Sequence, residues 1–284
     1  MKKSLMLATS AMIASGLAAP HAQAIDVDLY GQVNKAVIGA NVENDGSSGD
    51  INIVDNDISS TRFGLRGNQL LDNGLTASVL IEGQFQSANG ASNTRNLDNG
   101  AAGTTPDGAS AAWSTRHARV GLGGQWGALF VGKTSVASDG VAEIDLGPAQ
   151  DVTTSAISRI GGAIQVGPGN ETIGELSDNV DGHGFGTNQH GADRANLVRF
   201  DTPAFQGLSA RASYTQNQDV DAAVLYNNSF NALEVSGGAS YVKYDRDTAS
   251  LTGASSSAVA DSAYSVTASV KHNSGLSATA NYGE

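Results

Sequence analysis

Residues 60–67 read Ser-Thr-Arg-Phe-Gly-Leu-Arg-Gly (STRFGLRG), and the direction in which the two arginines point decides the fold. Phe63 and Leu65 alternate with Arg62, Gly64 and Arg66. In an extended chain, successive side chains point to opposite faces. One face of this segment is therefore apolar, and the other carries two guanidinium groups. The next run, LTASVLIEGQF (75–85), repeats the pattern. Leu75, Ala77, Val79, Ile81 and Phe85 lie on one side, and Thr76, Ser78, Glu82 and Gln84 on the other. Asp72-Asn73-Gly74 between the two runs is a hairpin turn signal.

The same alternation recurs along the chain. VDLYGQVNKAVIGA (27–40) opens the series. RHARVGLGG (116–124) turns at Gln125-Trp126-Gly127 into ALFVGK. RANLVRFDTPAFQGLSARASYT (194–215) turns at Thr202-Pro203. Two further hairpins are expected to turn at Asn227-Asn228 and at Asn273-Ser274-Gly275. About eleven strands of 8–15 residues result. Most of their connections alternate between short turns and long polar segments, at 41–59, 86–113, 134–193 and 246–261. The connection near 216–220 is short and departs from this rule.

Residues 1–24 stand apart from the pattern. Lys2 and Lys3 precede an apolar stretch from Leu5 to about Ala19, and Ala22-Gln23-Ala24 has the small-x-small form of a processing site. This is the layout of a secretory signal, with the mature chain expected from Ile25. Of 16 basic residues, two leave with the signal. Against 28 acidic residues, this takes the formal charge from -12 to -14. A strongly acidic chain lacks the basic footprint of a nucleic-acid binder. The absence of cysteine removes disulfide scaffolds, thiolate metal sites and thiol catalysis from consideration. No run of about 18 apolar residues follows residue 24, so a transmembrane helix is not expected.

An exported, glycine-rich, all-β chain of this kind is either a sandwich or an outer-membrane barrel. A sandwich needs an inner face of large side chains and an outer face rich in Lys and Glu. Here the apolar face is often Ala, Val and Leu, and the opposite face is Ser, Thr, Asn and Gln. Short turns on one rim and long loops on the other also fit a transmembrane antiparallel β-barrel. In that barrel Phe63 and Leu65 face lipid, while Arg62 and Arg66 face the watery lumen. Turned to lipid at the bilayer midplane, each arginine would cost about 2–4 kcal/mol. Arg119, Arg199 and Arg211 share the lumen parity, whereas Lys35 shares a face with Val33 and Val37.

Four segments together resemble the Gram-negative general, trimeric outer-membrane porins: DLYGQVN, TRFGLRG, ARVGLGGQWGALFVGK and RANLVRFDTPAFQGL, in that order. The resemblance spans nearly the whole mature chain. It implies a 16-stranded barrel, of which residues 25–284 would supply about eleven strands. It also implies that the chain is an N-terminal fragment, since it stops at Tyr282-Gly283-Glu284 where the family ends on a strand finishing in Phe.

By the same resemblance, Arg62 and Arg119 match basic positions on the constriction wall, with Arg66 nearer the periplasmic turn. The insert at 134–193 takes the place of the loop that folds inward to narrow the pore. Its acidic candidates are Glu143 and Asp145, followed by Asp139 and Asp151. The implied function is passive diffusion of ions and small hydrophilic solutes, with cations favoured by the carboxylates. The implied partners are two further copies in a homotrimer, outer-membrane lipid and lipopolysaccharide. No cofactor and no metal are implied. The Asp-, Gly- and His-rich run DNVDGHGFGTNQHGAD (178–193) fits no recognised metal loop.

Three alternatives remain open at this level. A channel selective for sugar, phosphate or dicarboxylate would carry aromatic or basic tracks, and Tyr30 is one of few aromatics with lumen parity. An outer-membrane enzyme would need a nucleophile and a base, yet His117 has no evident partner in the sequence. A closed structural or adhesin barrel would not need the long insert at 134–193.

Overall fold

A computed structural model describes residues 26–40, 50–55, 59–85, 113–147, 194–245 and 262–283. The expected signal, Asp151 and the rest of the long insert lie outside the described residues. Among the described residues there is no α-helix, and no helix is long and apolar enough to cross a membrane.

The fold is all-β and antiparallel. Eleven strands form one sheet: β1 (Asp26–Gln32), β4 (Arg62–Leu70), β5 (Thr76–Phe85), β6 (Trp113–Gly124), β7 (Gly127–Ser135), β8 (Arg194–Asp201), β9 (Leu208–Thr215), β10 (Val220–Phe230), β11 (Leu233–Lys243), β12 (Ser262–His272) and β13 (Ser277–Gly283). Each pairs with its neighbour in chain order, and β1 pairs with β4. The sheet is open, with β1 and β13 at its two ends among the described residues. A separate hairpin joins β2 (Lys35–Ala40) to β3 (Asp50–Asp55).

The eleven strands expected from alternation are the eleven strands of the sheet. Three local readings change. The first run is not one strand: Val33 and Asn34 break it, and β2 leaves the main sheet to pair with β3. The stretch 41–59 is thus not uniformly a loop. The Asn227-Asn228 turn is also displaced. Both asparagines lie in β10, where Asn227 pairs with Ser236 and accepts a 2.6 Å hydrogen bond from its hydroxyl. The turn falls at Asn231-Ala232, between the paired residues Phe230 and Leu233. Asn231 takes φ 51° there, a left-handed conformation that asparagine tolerates.

The third change is a β-bulge between β5 and β6. Glu82 pairs with His117 while Gly83 pairs with Thr115, which leaves Arg116 as the extra residue. A bulge places two residues opposite one and re-aims a side chain. By strict alternation Arg116 would share the apolar face with Ala118 and Val120. Instead its guanidinium lies on the polar face, against Glu82.

Burial across the sheet is inverted relative to a soluble protein. Phe63, Ile81, Val198, Val224 and Tyr241 are exposed on one face. On β12, Val266 is 50% exposed whereas its neighbour Ser265 is fully buried. A sheet with its apolar face outward and its polar face covered is built for lipid outside and water inside. Aromatic rings mark the apolar face: Phe63 lies 4.7 Å from Trp113, and Trp126 stacks on Phe200 at 5.9 Å.

Candidate functional site

The polar face has two parts. On β4–β9 it is a wall of arginines. Tyr30, Gly64, Glu82 and His117 form one cross-strand row. A side chain at Gly64 would collide with the Tyr30 ring, so glycine between the two arginines of STRFGLRG lets the tyrosine lie across β4. Its hydroxyl then donates a 2.7 Å hydrogen bond to Glu82 Oε2. Arg116 Nε donates to Glu82 Oε1 at 2.6 Å, and Arg116 Nη1 donates to Gln84 at 2.9 Å. Arg62 Nε approaches Glu82 Oε2 at 3.7 Å. Glu82 is buried and serves as the hub of this cluster. A charged hydrogen bond of this length is roughly twice as strong as a neutral one.

The next row is Gly121, Phe130 and Arg199. Arg119 reaches over the Phe130 ring at 4.0 Å, and Arg199 lies 5.9 Å from the same ring. Arg199 is held by two 2.7 Å hydrogen bonds to Asp201 and a third, at 3.0 Å, to the Ser135 carbonyl. Arg211, on β9, lies 4.0 Å from Asp201. Arg119 differs from its neighbours. Its Nε is buried without a hydrogen bond, and it makes no ion pair or hydrogen bond with the described residues.

On β9–β13 the polar face is covered by the start of the long insert. Residues 136–147 leave β7 and run across it. The Ala137 N–H donates to Ser213 Oγ at 3.0 Å. The N–H and hydroxyl of Ser138 both donate to Asp221 Oδ2, at 3.1 and 2.8 Å. The Leu146 N–H donates to Ser269 Oγ at 2.9 Å. Asn281 Nδ2 donates to the Ala142 carbonyl at 3.3 Å. Val141 and Ile144 pack with Ala223 and Leu225 of β10. Ser213, Asp221 and Ser269 therefore accept backbone N–H groups that would otherwise be buried unpaired.

The residues singled out from sequence divide between these parts. Arg62 and Arg119 lie on the wall, and Arg62 belongs to the Glu82 cluster. Arg66 shares their face, but it pairs at 3.2 Å with Asp28 in an exposed contact and makes no ion pair with Glu82, reaching the cluster only over the Tyr30 ring at 5.5 Å. Asp139 and Glu143 lie partly exposed on the docked segment, with Asp139 in electrostatic range of Arg211. Asp145 Oδ1 accepts from Thr279 Oγ1 at 2.6 Å and from the Gly147 N–H at 2.9 Å. The Thr279 hydrogen bond first, and the Gly147 N–H second, hold its carboxyl below the usual carboxylate range.

Two wall residues were missed. Glu82 was legible as the one carboxylate among the polar-face residues of its strand. Arg116 had no sequence signal, because strict alternation assigns it to the wrong face. His117 does have partners: its Nδ1 shares a 3.1 Å hydrogen bond with Thr134 Oγ1, and its Nε2 lies 4.0 Å from Glu82. This Thr–His–Glu line is not a catalytic triad. Thr134 is buried, Glu82 is already committed to Arg116 and Tyr30, and 4.0 Å is too long for an orienting hydrogen bond. Among the described residues no group of three or more metal-ligating side chains gathers.

A sheet with an apolar exterior, an arginine-bearing polar face and a loop docked on that face defines a membrane β-barrel protein with a lined interior. A family model described as Gram-negative porin matches residues 8–284. The chain belongs to that family and to the bacterial outer membrane. It is 27% identical over 218 residues to the major outer membrane protein P.IB of Neisseria sicca, covering 75% of this chain and 47% of that protein. It thus spans about half the length of that relative. Among solved structures it is similar to an anion-selective porin from Comamonas acidovorans, with 18% identity, 92% of this chain and 78% of the other covered, and a TM-score of 0.49. It is also similar to OmpF of Salmonella typhi, with 18% identity, 91% and 65% covered, and a TM-score of 0.48.

Proposed function

We propose that the protein forms a water-filled channel through which ions and small hydrophilic solutes diffuse passively across the outer membrane, without chemistry. The observation that carries this reading is the docking of residues 136–147 on the polar face beside the arginine wall, while the opposite face is apolar and exposed. A polar surface narrowed by its own loop is suited to limiting the size and charge of what passes. Residues 1–24 act as the export signal and the insert at 134–193 as the constriction loop. The assembly is a homotrimer in contact with outer-membrane lipid and lipopolysaccharide, as the family resemblance implies.

The charge preference follows from the constriction residues. Carboxylates on the loop, Glu143 and Asp145 foremost with Asp139 and Asp151, favour cations by raising their local concentration. A second reading is favoured by the arginine surplus of the wall. Glu82 and Asp201 are each engaged by arginines, and Arg119 has no carboxylate partner among the described residues. That surplus favours anions.

Planar-bilayer conductance with reversal potential in a salt gradient decides between the two. Stepwise ohmic conductance supports the channel, and none from a folded barrel overturns it. If cations are preferred, the Glu143→Gln/Asp145→Asn double variant lowers the preference. If anions are, Arg119→Ser reverses it.

A further inference from the structure

The wall contains a structure that simple diffusion does not use. Phe130 projects onto the polar face of β7, directly opposite Gly121 of β6 and Arg199 of β8. A side chain at Gly121 would collide with the Phe130 ring and with Ser78. The glycine thus opens a place for the ring to lie flat along the wall, as aromatic residues do over strand glycines.

Arg119 and Arg199 bracket this ring, but in different states. Arg199 is held by three hydrogen bonds, two to Asp201 and one to the Ser135 carbonyl. Arg119 stacks on the ring at 4.0 Å and makes no hydrogen bond or ion pair among the described residues. A guanidinium fixed on an aromatic face is pre-organised and weakly hydrated. It recognises carboxylates through its donor edge and planar groups through its face. Tyr30 adds a second aromatic ring to the same side of the sheet, with Arg66 at 5.5 Å from it.

We propose that Arg119 and Phe130 form a binding subsite for small aromatic carboxylates, whose carboxylate is taken by Arg119 and whose ring is taken by the Phe130–Arg119 stack. This rests on the channel reading and names a solute class for the same wall. The subsite requires a charge and a flat apolar body together. A small aliphatic carboxylate meets the first requirement only, and inorganic phosphate meets the charge without the body.

The test is block of potassium chloride current by benzoate, acetate or inorganic phosphate, added to channels of the complete protein in planar bilayers. Benzoate is expected to block at concentrations about tenfold below acetate and phosphate, and Phe130→Leu to narrow that advantage by about three- to tenfold. Arg119→Ser is expected to abolish block by all three. Equal block by the three anions, or a benzoate advantage untouched in Phe130→Leu, overturns the subsite and leaves the channel standing. Absence of any chloride current overturns the channel. Equilibrium dialysis of benzoate against the folded protein in detergent then reads the subsite independently, and no retention of benzoate overturns it too.

Discussion

The polar faces of β4–β8 and of β10–β13 have the same alternating origin and opposite fates. On β4–β8 large charged and aromatic side chains stand on the face: Tyr30 reaches over Gly64, Phe130 lies on Gly121, and Arg62, Arg116, Arg119 and Arg199 project among them. On β10–β13 the corresponding positions are Asp221, Ala223, Ser240, Ser265, Thr267 and Ser269, small residues buried by segment 136–147 or by each other, with Thr279 exposed beside them. The difference lies in how each half satisfies its polar groups. The wall pairs charge with charge and leaves Arg119 over. The docked half uses hydroxyls and one aspartate to receive a backbone.

The comparison breaks most sharply at Glu82. Removing one partner of a buried pair leaves the other uncompensated, at about 3–5 kcal/mol, so Glu82→Ala is expected to lower the thermal stability of the detergent-folded protein severely. Double replacement of Glu82 and Arg116 by Ala should recover part of that loss. No change in melting temperature for Glu82→Ala would mean that the hub does not organise the wall.

The docked half responds less in stability and more in local opening. Asp221→Ala strips the Ser138 N–H and hydroxyl of their shared acceptor. The cost is about 1–3 kcal/mol, for a buried donor left unsatisfied. Hydrogen exchange should accelerate at 137–146 and stay unchanged on β4–β6. Uniform acceleration across both halves would erase the distinction between them.

The smallest effect belongs to Asp145. Its folded carboxyl titrates below its unfolded value, so its contribution is present above the ordinary carboxylate range. It is lost as pH falls through the depressed value. Partial exposure limits it to less than about 1 kcal/mol. Thr279→Val should therefore lose a little stability at neutral pH and almost none at acid pH. An equal loss at both would assign the effect to packing instead.

The order of the eleven strands, the turns at Gly74 and Gly275, and the polar-face parity of Arg62 and Arg119 could be read directly from residue order. Alternation is a property of covalent geometry, and it survives wherever one face meets lipid and the other water. The same logic fails where a feature depends on the partner strand. Arg116 points inward because β6 carries one residue more than β5 needs, and that count exists only once two strands are in register. The turn after β10 slid to Asn231 because pairing from Val220 to Phe230 outweighed the local turn preference of Asn227-Asn228.

Glu82 as a hub, and Ser213, Asp221, Ser269 and Thr279 as anchors of the loop, depend on contacts between residues 20 to 134 positions apart. Away from the bulge at Arg116, the sequence by itself determined which residues lie on the polar face, because alternation is decided one strand at a time. Only the tertiary structure decided which of those residues meet, because a meeting is decided by register, by the bulge and by where the loop comes to rest.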